Sequence, residues 1–217
     1  MLKLVIGDKN LSSWSLRPWM LLRHLRLPFE EIRLPLDTPR FRDEIGRYSP
    51  TRRVPVLLDG DLHVWDSLAI CEYLNERAGG HGWPADRAAR ALARSISAEM
   101  HAGFVDLRTA WPMKAAARDL AVPLPPAARA DAARIDALWT ECRELHGANG
   151  PWLFGARYTV ADAMYAPVAL RFATYGARLT PPAAEYLARV LSDPHLRDWI
   201  QAARDEVAHE GRPMEHG

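Results

Sequence analysis

The character of the chain changes once, and sharply, between Gly79 and Pro84. Before that break, short apolar runs alternate with segments of helical period. After it, alanine and arginine abound and strand signals vanish. Such a chain is expected to fold as a mixed α/β part followed by an all-helical part. With 217 residues, 48% of them hydrophobic, it holds enough apolar material for one large domain or two small ones. The break divides it into residues 1–79 and 87–217.

In the first part, the apolar run Leu2 to Ile6 reads as a buried strand. Ser15 to Arg26 carries Leu16, Trp19, Met20, Leu22 and Leu25 close to helical period, with Pro18 expected in the first turn. Phe29 to Leu34 is a second strand, and Thr38 to Arg47 a short basic helix. Val54 to Leu58 and Leu62 to Trp65 flank Asp59-Gly60-Asp61, the pattern of a β-hairpin. Asp66-Ser67 opens a helix holding Leu68, Ile70, Cys71, Tyr73 and Leu74, which Gly79-Gly80 ends. The order βαβ-αββα predicts a small mixed sheet with helices, as in thioredoxin.

In the second part, Leu92, Ile96, Met100, Phe104, Leu107 and Trp111 define one face of a single long helix, ended or kinked by Pro112. Ile135, Leu138, Trp139, Cys142 and Leu145 mark a helix that follows the proline-rich Val122 to Pro126. Thr159-Val160-Ala161-Asp162 reads as a capping box, with Asp for the usual Glu, opening a helix through Ala173. Helices near Pro182–Leu191 and Pro194–Val207 follow, and the tail after Gly211 is expected to fray.

Composition excludes several classes of function. There are 28 basic and 27 acidic side chains, a formal net charge of +1, too weak a field to steer the chain to nucleic acid or an anionic membrane. No apolar run approaches the roughly 20 residues of a membrane span. The opening MLKLVIGDKN reaches Asp8 too soon for a signal peptide, so a cytoplasmic location is expected. Cys71 and Cys142 form no CxxC pair and sit on apolar stripes, as small buried hydrophobes do. The eight histidines form no cluster of zinc-ligand spacing, and no metal is expected.

Three short segments carry chemistry. Pro55 cannot donate to a ladder, so it suits a strand's first residue or an edge. It also permits a cis Val54-Pro55 bond that would turn the N–H and C=O of Val54 outward, to pair with a bound peptide as an added strand. Asp66-Ser67 is a helix cap, and a helix N-terminus is also an anion site. Ser67 with the first N–H groups suits a carboxylate, and Asp66 suits an ammonium. Finally, Ser12, Ser13 and Ser15 crowd the turn before the first helix, more hydroxyls than capping needs. A hydroxyl donating to a sulfur anion, beside a helix N-terminus, lowers a thiol pKa from its usual value of about 8.5 at about 1.4 kcal/mol per unit. No histidine stands nearby to serve a serine nucleophile, so hydrolase chemistry is disfavoured.

Taken in order and spacing, Ser12-Ser13-Trp14-Ser15-Leu16-Arg17, Val54-Pro55 and Asp66-Ser67 resemble the glutathione transferase superfamily. The helical second half and the Thr159–Asp162 box fit it too, so the resemblance covers essentially the whole chain. It is nearest the serine-type classes, particularly the zeta class that contains maleylacetoacetate isomerase. It implies a thioredoxin-like domain that binds glutathione as cosubstrate, then a helical domain carrying the second-substrate site. Ser12 is implied as the thiolate stabiliser, with Ser13 the close second. Val54 would pair with the cysteinyl backbone, with Pro55 cis, and Asp66 and Ser67 would take the γ-glutamyl end. Arg52 and Arg53 stand where the family often has Gln or Lys to meet the glycine carboxylate. Arg40 is also in range, and solvated surface arginine is the plain alternative for each.

Trp14 replaces the zeta-class cysteine, which puts isomerase activity in question and makes disulfide exchange unexpected. The second substrate, a small electrophile, is expected to face His101, Phe104, Arg108, Trp111 and Met113. Phe104 and Trp111 also belong to the core stripe, whereas Arg108 lies off it and suits an acidic or electrophilic partner. The implied activity is addition of the glutathione thiol to an electrophile, by a homodimer. The alternatives are a glutathione-dependent cis-trans isomerase and a non-catalytic binding module on the same fold.

Overall fold

The computed structural model describes residues 1–210. Strand β1 (Leu2–Ile6) lies at the centre of a four-stranded sheet, with only Lys3 partly exposed. An unbroken apolar run is what a central strand covered on both faces requires. It pairs in parallel with β2 (Phe29–Arg33) and antiparallel with β3 (Val56–Asp59), and β4 (Leu62–Trp65) closes the order β2-β1-β3-β4. Gly60, with φ 60, makes the tight turn of the β3–β4 hairpin.

Helix α1 (Ser13–His24) begins two residues before the expected Ser15. Pro18 therefore sits beyond the first turn, inside the helix, where its missing N–H leaves the Trp14 carbonyl without a helical donor. Helix α2 (Pro39–Glu44) is capped by Thr38, whose hydroxyl accepts from the Phe41 N–H at 3.1 Å. A 3-10 turn over Ile45–Arg47 extends it. Helix α3 (Ser67–Arg77) ends before Gly79, whose φ of 67 takes the chain out of the helix.

The remainder is helical: α4 (Arg87–Ala102), α5 (Val105–Ala110), α6 (Pro126–His146), α7 (Val160–Tyr175), α8 (Pro181–Ser192) and α9 (Pro194–Glu210). The single long helix expected through Trp111 is in fact two. It breaks at Gly103 and Phe104, well before Pro112. Phe104 is left-handed, with φ 57, and the first turn of α5 is held from outside by Asp131 of α6, which accepts the Leu107 N–H at 3.0 Å. A side chain at Gly103 would meet the Glu99 carbonyl at 2.8 Å, so glycine is needed at the joint. The stripe itself is buried from Ile96 to Trp111, with Leu92 half-buried at its start. The tail expected to fray after Gly211 lies outside the described residues.

Helix α1 packs on α3 on one side and α7 on the other, so one core runs from the sheet into the helices. Asp162 is fully buried at the start of α7. One carboxylate oxygen accepts from the N–H and hydroxyl of Thr159 at 2.8 and 2.9 Å; the other accepts from the Leu153 N–H and the Tyr186 hydroxyl, both at 3.0 Å. Cys71 and Cys142 are buried, and burial pushes their thiols up, that of Cys142 to about 12.

Candidate functional site

Where the sheet meets the helices, a cleft of about 470 Å³ opens between β3–β4, the start of α3 and the α4–α5 joint. Trp14, Thr51, Arg53, Val54, Pro55, Trp65, Asp66, Ser67, His101 and Arg108 line it. The Val54-Pro55 peptide bond is cis. Asp66 has φ 73, a conformation that non-glycine residues avoid and that collects at ligand sites. One Asp66 carboxylate oxygen accepts from the N–H groups of Leu68 and Ala69 at 2.9 and 3.3 Å. The other lies 3.1 Å from His101 Nε2. Asp66 thus caps α3 and reaches across the cleft to the helical side. The Ser67 hydroxyl beside it is buried and has no hydrogen-bond partner among the described residues.

The opposite wall is cationic and aromatic. Trp14 lies between two guanidinium groups, Arg17 at 4.1 Å and Arg108 at 4.9 Å from its ring. The His101 ring meets it edge-on at 5.4 Å. Arg17 is fully buried, and its Nε and Nη1 have no partner among the described residues. Burial, with Arg171 and Arg108 adding repulsion, pulls Arg17 down to about 9. Burial beside Arg108 likewise pulls Arg171 to about 10. Asp66 offsets the lowering at Arg17 only in part, and the indole face gives that guanidinium a further partner.

Ser12 and Ser13 sit at the start of α1, just before Trp14, and are 6% and 9% exposed. Ser12 is the N-cap, yet its side chain makes no capping bond. Its Oγ lies 2.7 Å from Ser15 Oγ, and Ser15 Oγ accepts the Gly7 N–H at 3.2 Å. If Ser15 donates to Ser12, the Ser12 hydrogen is left to donate elsewhere. The sequence counts Ser15 among the three crowded serines but gives it no role of its own, because that role depends on the approach of Gly7 from the end of β1.

The structure therefore brings Arg53, Val54, Pro55, Asp66, Ser67, His101 and Arg108 to one cleft, and adds Trp14, Thr51 and Trp65. Ser12 and Ser13 adjoin Trp14 but are not among the lining residues, and the remaining candidates stand elsewhere. Arg40 pairs with Glu44 at 2.9 Å on the surface, and Arg52 donates to the Arg42 carbonyl at 2.6 Å. Phe104 is buried at the helix joint and Met113 in the core. Trp111 stacks on Tyr175 and donates to the Val122 carbonyl at 2.9 Å. Among the described residues, no group of three or more His, Cys, Asp or Glu gathers as a metal site needs, and no helix is long and apolar enough to cross a membrane.

The chain matches the family model of the glutathione S-transferase N-terminal domain over residues 11–77 and that of the C-terminal domain over residues 125–202. It is 43% identical to a dichloromethane dehalogenase of Methylorubrum extorquens over 61 residues, 26% of this chain and 20% of that one. The chain thus covers only a fifth of the dehalogenase's length. It is 26% identical to rat maleylacetoacetate isomerase over 182 residues, 82% of each. A glutathione transferase homolog from Burkholderia with bound glutathione superposes with a TM-score of 0.68 at 24% identity, covering 94% of this chain and 98% of that one. At such identity the last comparison speaks for the fold alone. Together, the two domain models and the architecture they describe place this chain in the glutathione S-transferase superfamily.

Proposed function

We propose that this protein is a glutathione transferase that lowers the thiol pKa of bound glutathione and adds the thiolate to an electrophilic carbon. The observation that carries this reading is the Ser67 hydroxyl, buried at the N-terminus of α3 in the lining of the cleft and without a hydrogen-bond partner among the described residues. That hydroxyl, at the positive end of the α3 dipole, suits the α-carboxylate of a γ-glutamyl group, and Asp66 suits its ammonium. Val54 would pair with the cysteinyl backbone, and Arg53, beside it in the cleft lining, would meet the glycine carboxylate.

So held, the tripeptide would present sulfur towards the start of α1. Ser15 would donate to Ser12, and Ser12 to the sulfur, with the α1 dipole adding to the stabilisation of the anion. The thiol proton leaves to solvent. The sulfur electron pair forms a C–S bond, and the electrophile either takes the charge or expels its leaving group. Positioning and thiol activation account for the rate, with no covalent enzyme intermediate. The Arg108 side of the cleft favours an electrophile that carries a carboxylate. The chain would act in the cytoplasm as a homodimer, with one part binding glutathione and the helical part the electrophile.

Retention on immobilised glutathione, together with consumption of glutathione in the presence of chlorodinitrobenzene, tests the reading. Absence of both retention and consumption would refute it. The likeness to maleylacetoacetate isomerase over 82% of both chains favours one second reading, a cis-trans isomerase that uses glutathione catalytically. Turnover of a cis-dienoic keto acid with no loss of free glutathione would establish that reading instead.

A further inference from the structure

The segment Asp8–Leu11, which joins β1 to the start of α1 and so delivers Ser12, is held chiefly by distant residues. Asp8, Lys9 and Asn10 are all buried. Within the turn, the N–H groups of Leu11 and Ser12 return to the Asp8 carbonyl at 3.2 and 2.8 Å. Asp8 itself accepts from Arg33 at 2.6 Å and from the Leu36 N–H at 2.8 Å. Asn10 is held from the segment after α5, its carbonyl by the Ala115 N–H at 3.0 Å and its side chain by the Ala116 N–H at 2.9 Å. The peptide of Lys9 is held by α9. Glu206 Oε2 accepts the Lys9 N–H at 2.8 Å, and the Trp199 indole donates to the Lys9 carbonyl at 2.8 Å. Trp199 and Glu206 are seven residues apart and share one face of that helix.

Glu206 is a costly side chain to keep there. It is 13% exposed, and burial raises its pKa despite the cations and the N–H that face it. Lys9 Nζ stands 3.9 Å away and Arg33 Nε 3.1 Å, with Asp8 the acidic neighbour. Desolvation of a carboxylate is tolerated only where donors converge on it, and here they converge on the turn that ends in Ser12. The family match of the C-terminal domain stops at residue 202, short of this contact.

We propose that Glu206 is a positioning residue for thiol activation: by holding the Lys9 peptide from α9, it sets where the Ser12 hydroxyl stands against the bound sulfur. The inference rests on the transferase reading above. Ser12 lies three residues beyond Lys9, and a hydroxyl that donates to a thiolate is sensitive to displacements well under the length of a bond between residues. A merely structural staple would affect unfolding alone.

The test uses the full chain, with glutathione and chlorodinitrobenzene as probes, and compares wild type with Glu206→Ala and Glu206→Gln. Glu206→Ala is expected to lower kcat about tenfold, to raise the apparent pKa of the bound thiol, and to leave KM for glutathione nearly unchanged. Glu206→Gln keeps an acceptor for the Lys9 N–H and should recover most of the rate and the wild-type thiol pKa. If Glu206→Ala does not fold, Trp199→Phe removes the other α9 contact to Lys9 and should raise the thiol pKa in the same sense. Variants that unfold more easily but keep the wild-type kcat and thiol pKa would overturn the inference. So would a Glu206→Gln protein no better than Glu206→Ala. Wild-type protein that neither binds nor consumes glutathione would overturn the transferase reading beneath it. Wild-type activity with an unmoved thiol pKa in the variants would overturn this inference alone.

Discussion

Helices α7 and α1 both begin behind a hydroxyl-bearing residue, Thr159 and Ser12, and the two ends are finished in opposite ways. At α7 the Thr159 hydroxyl and N–H both donate to Asp162, whose other oxygen takes Leu153 and Tyr186. Every polar atom there serves the fold. At α1 the Ser12 side chain caps nothing and, among the described residues, hydrogen-bonds only Ser15. Helix α3 stands between them: Asp66 caps it, while the neighbouring Ser67 hydroxyl has no partner among the described residues. In a buried setting a polar atom withheld from the fold costs stability unless something else meets it. The two helix starts with such a hydroxyl are those that face or adjoin the cleft.

The contrast can be broken by substitution. Asp162→Ala should cost the most, about 3 kcal/mol or more, because it strands several buried donors at once; urea unfolding measures it. Ser12→Ala should cost stability only about 1 kcal/mol, the one buried hydrogen bond to Ser15. It should nonetheless cut kcat by about a hundredfold, the usual loss when one donor to a developing anion is removed. Ser15→Ala should follow it at a smaller loss, with the bound thiol pKa raised in both. If Ser12→Ala unfolds as readily as Asp162→Ala, or if neither serine variant moves the thiol pKa, the contrast fails. Ser67→Ala should raise KM for glutathione about fivefold, roughly 1 kcal/mol for one hydrogen bond, with kcat little changed. Isothermal titration separates that effect from folding. The smallest effect is expected from Arg108→Gln, a shift of about threefold in preference from a carboxylate-bearing electrophile towards a neutral one, as a half-exposed charge contributes. Paired rate measurements with the two electrophiles would show it.

Much of this contrast was legible in the sequence. Strand and helix periods gave the sheet and its helices, because burial on one face writes itself into spacing. Asp66-Ser67 and Thr159–Asp162 were legible because caps are local. Three features were not. The joint at Gly103 depends on Asp131, which reaches Leu107 from α6. The part of Ser15 depends on the approach of Gly7. Trp14 looked like a substitution for cysteine, and only the fold shows that it lies between Arg17 and Arg108. Conversely, Phe104 and Trp111, which already belonged to the core stripe, were claimed by the core together with Met113, while Arg108, off the stripe, faces the cleft.

The Arg17–Trp14–Arg108 column also has an optical consequence. The chain has eight tryptophans, and Trp14 and Trp65 line the cleft. An indole between two guanidinium groups emits according to the charge around it. An anion entering the cleft should therefore change the intrinsic fluorescence, giving the protein a built-in signal of occupancy with no label attached.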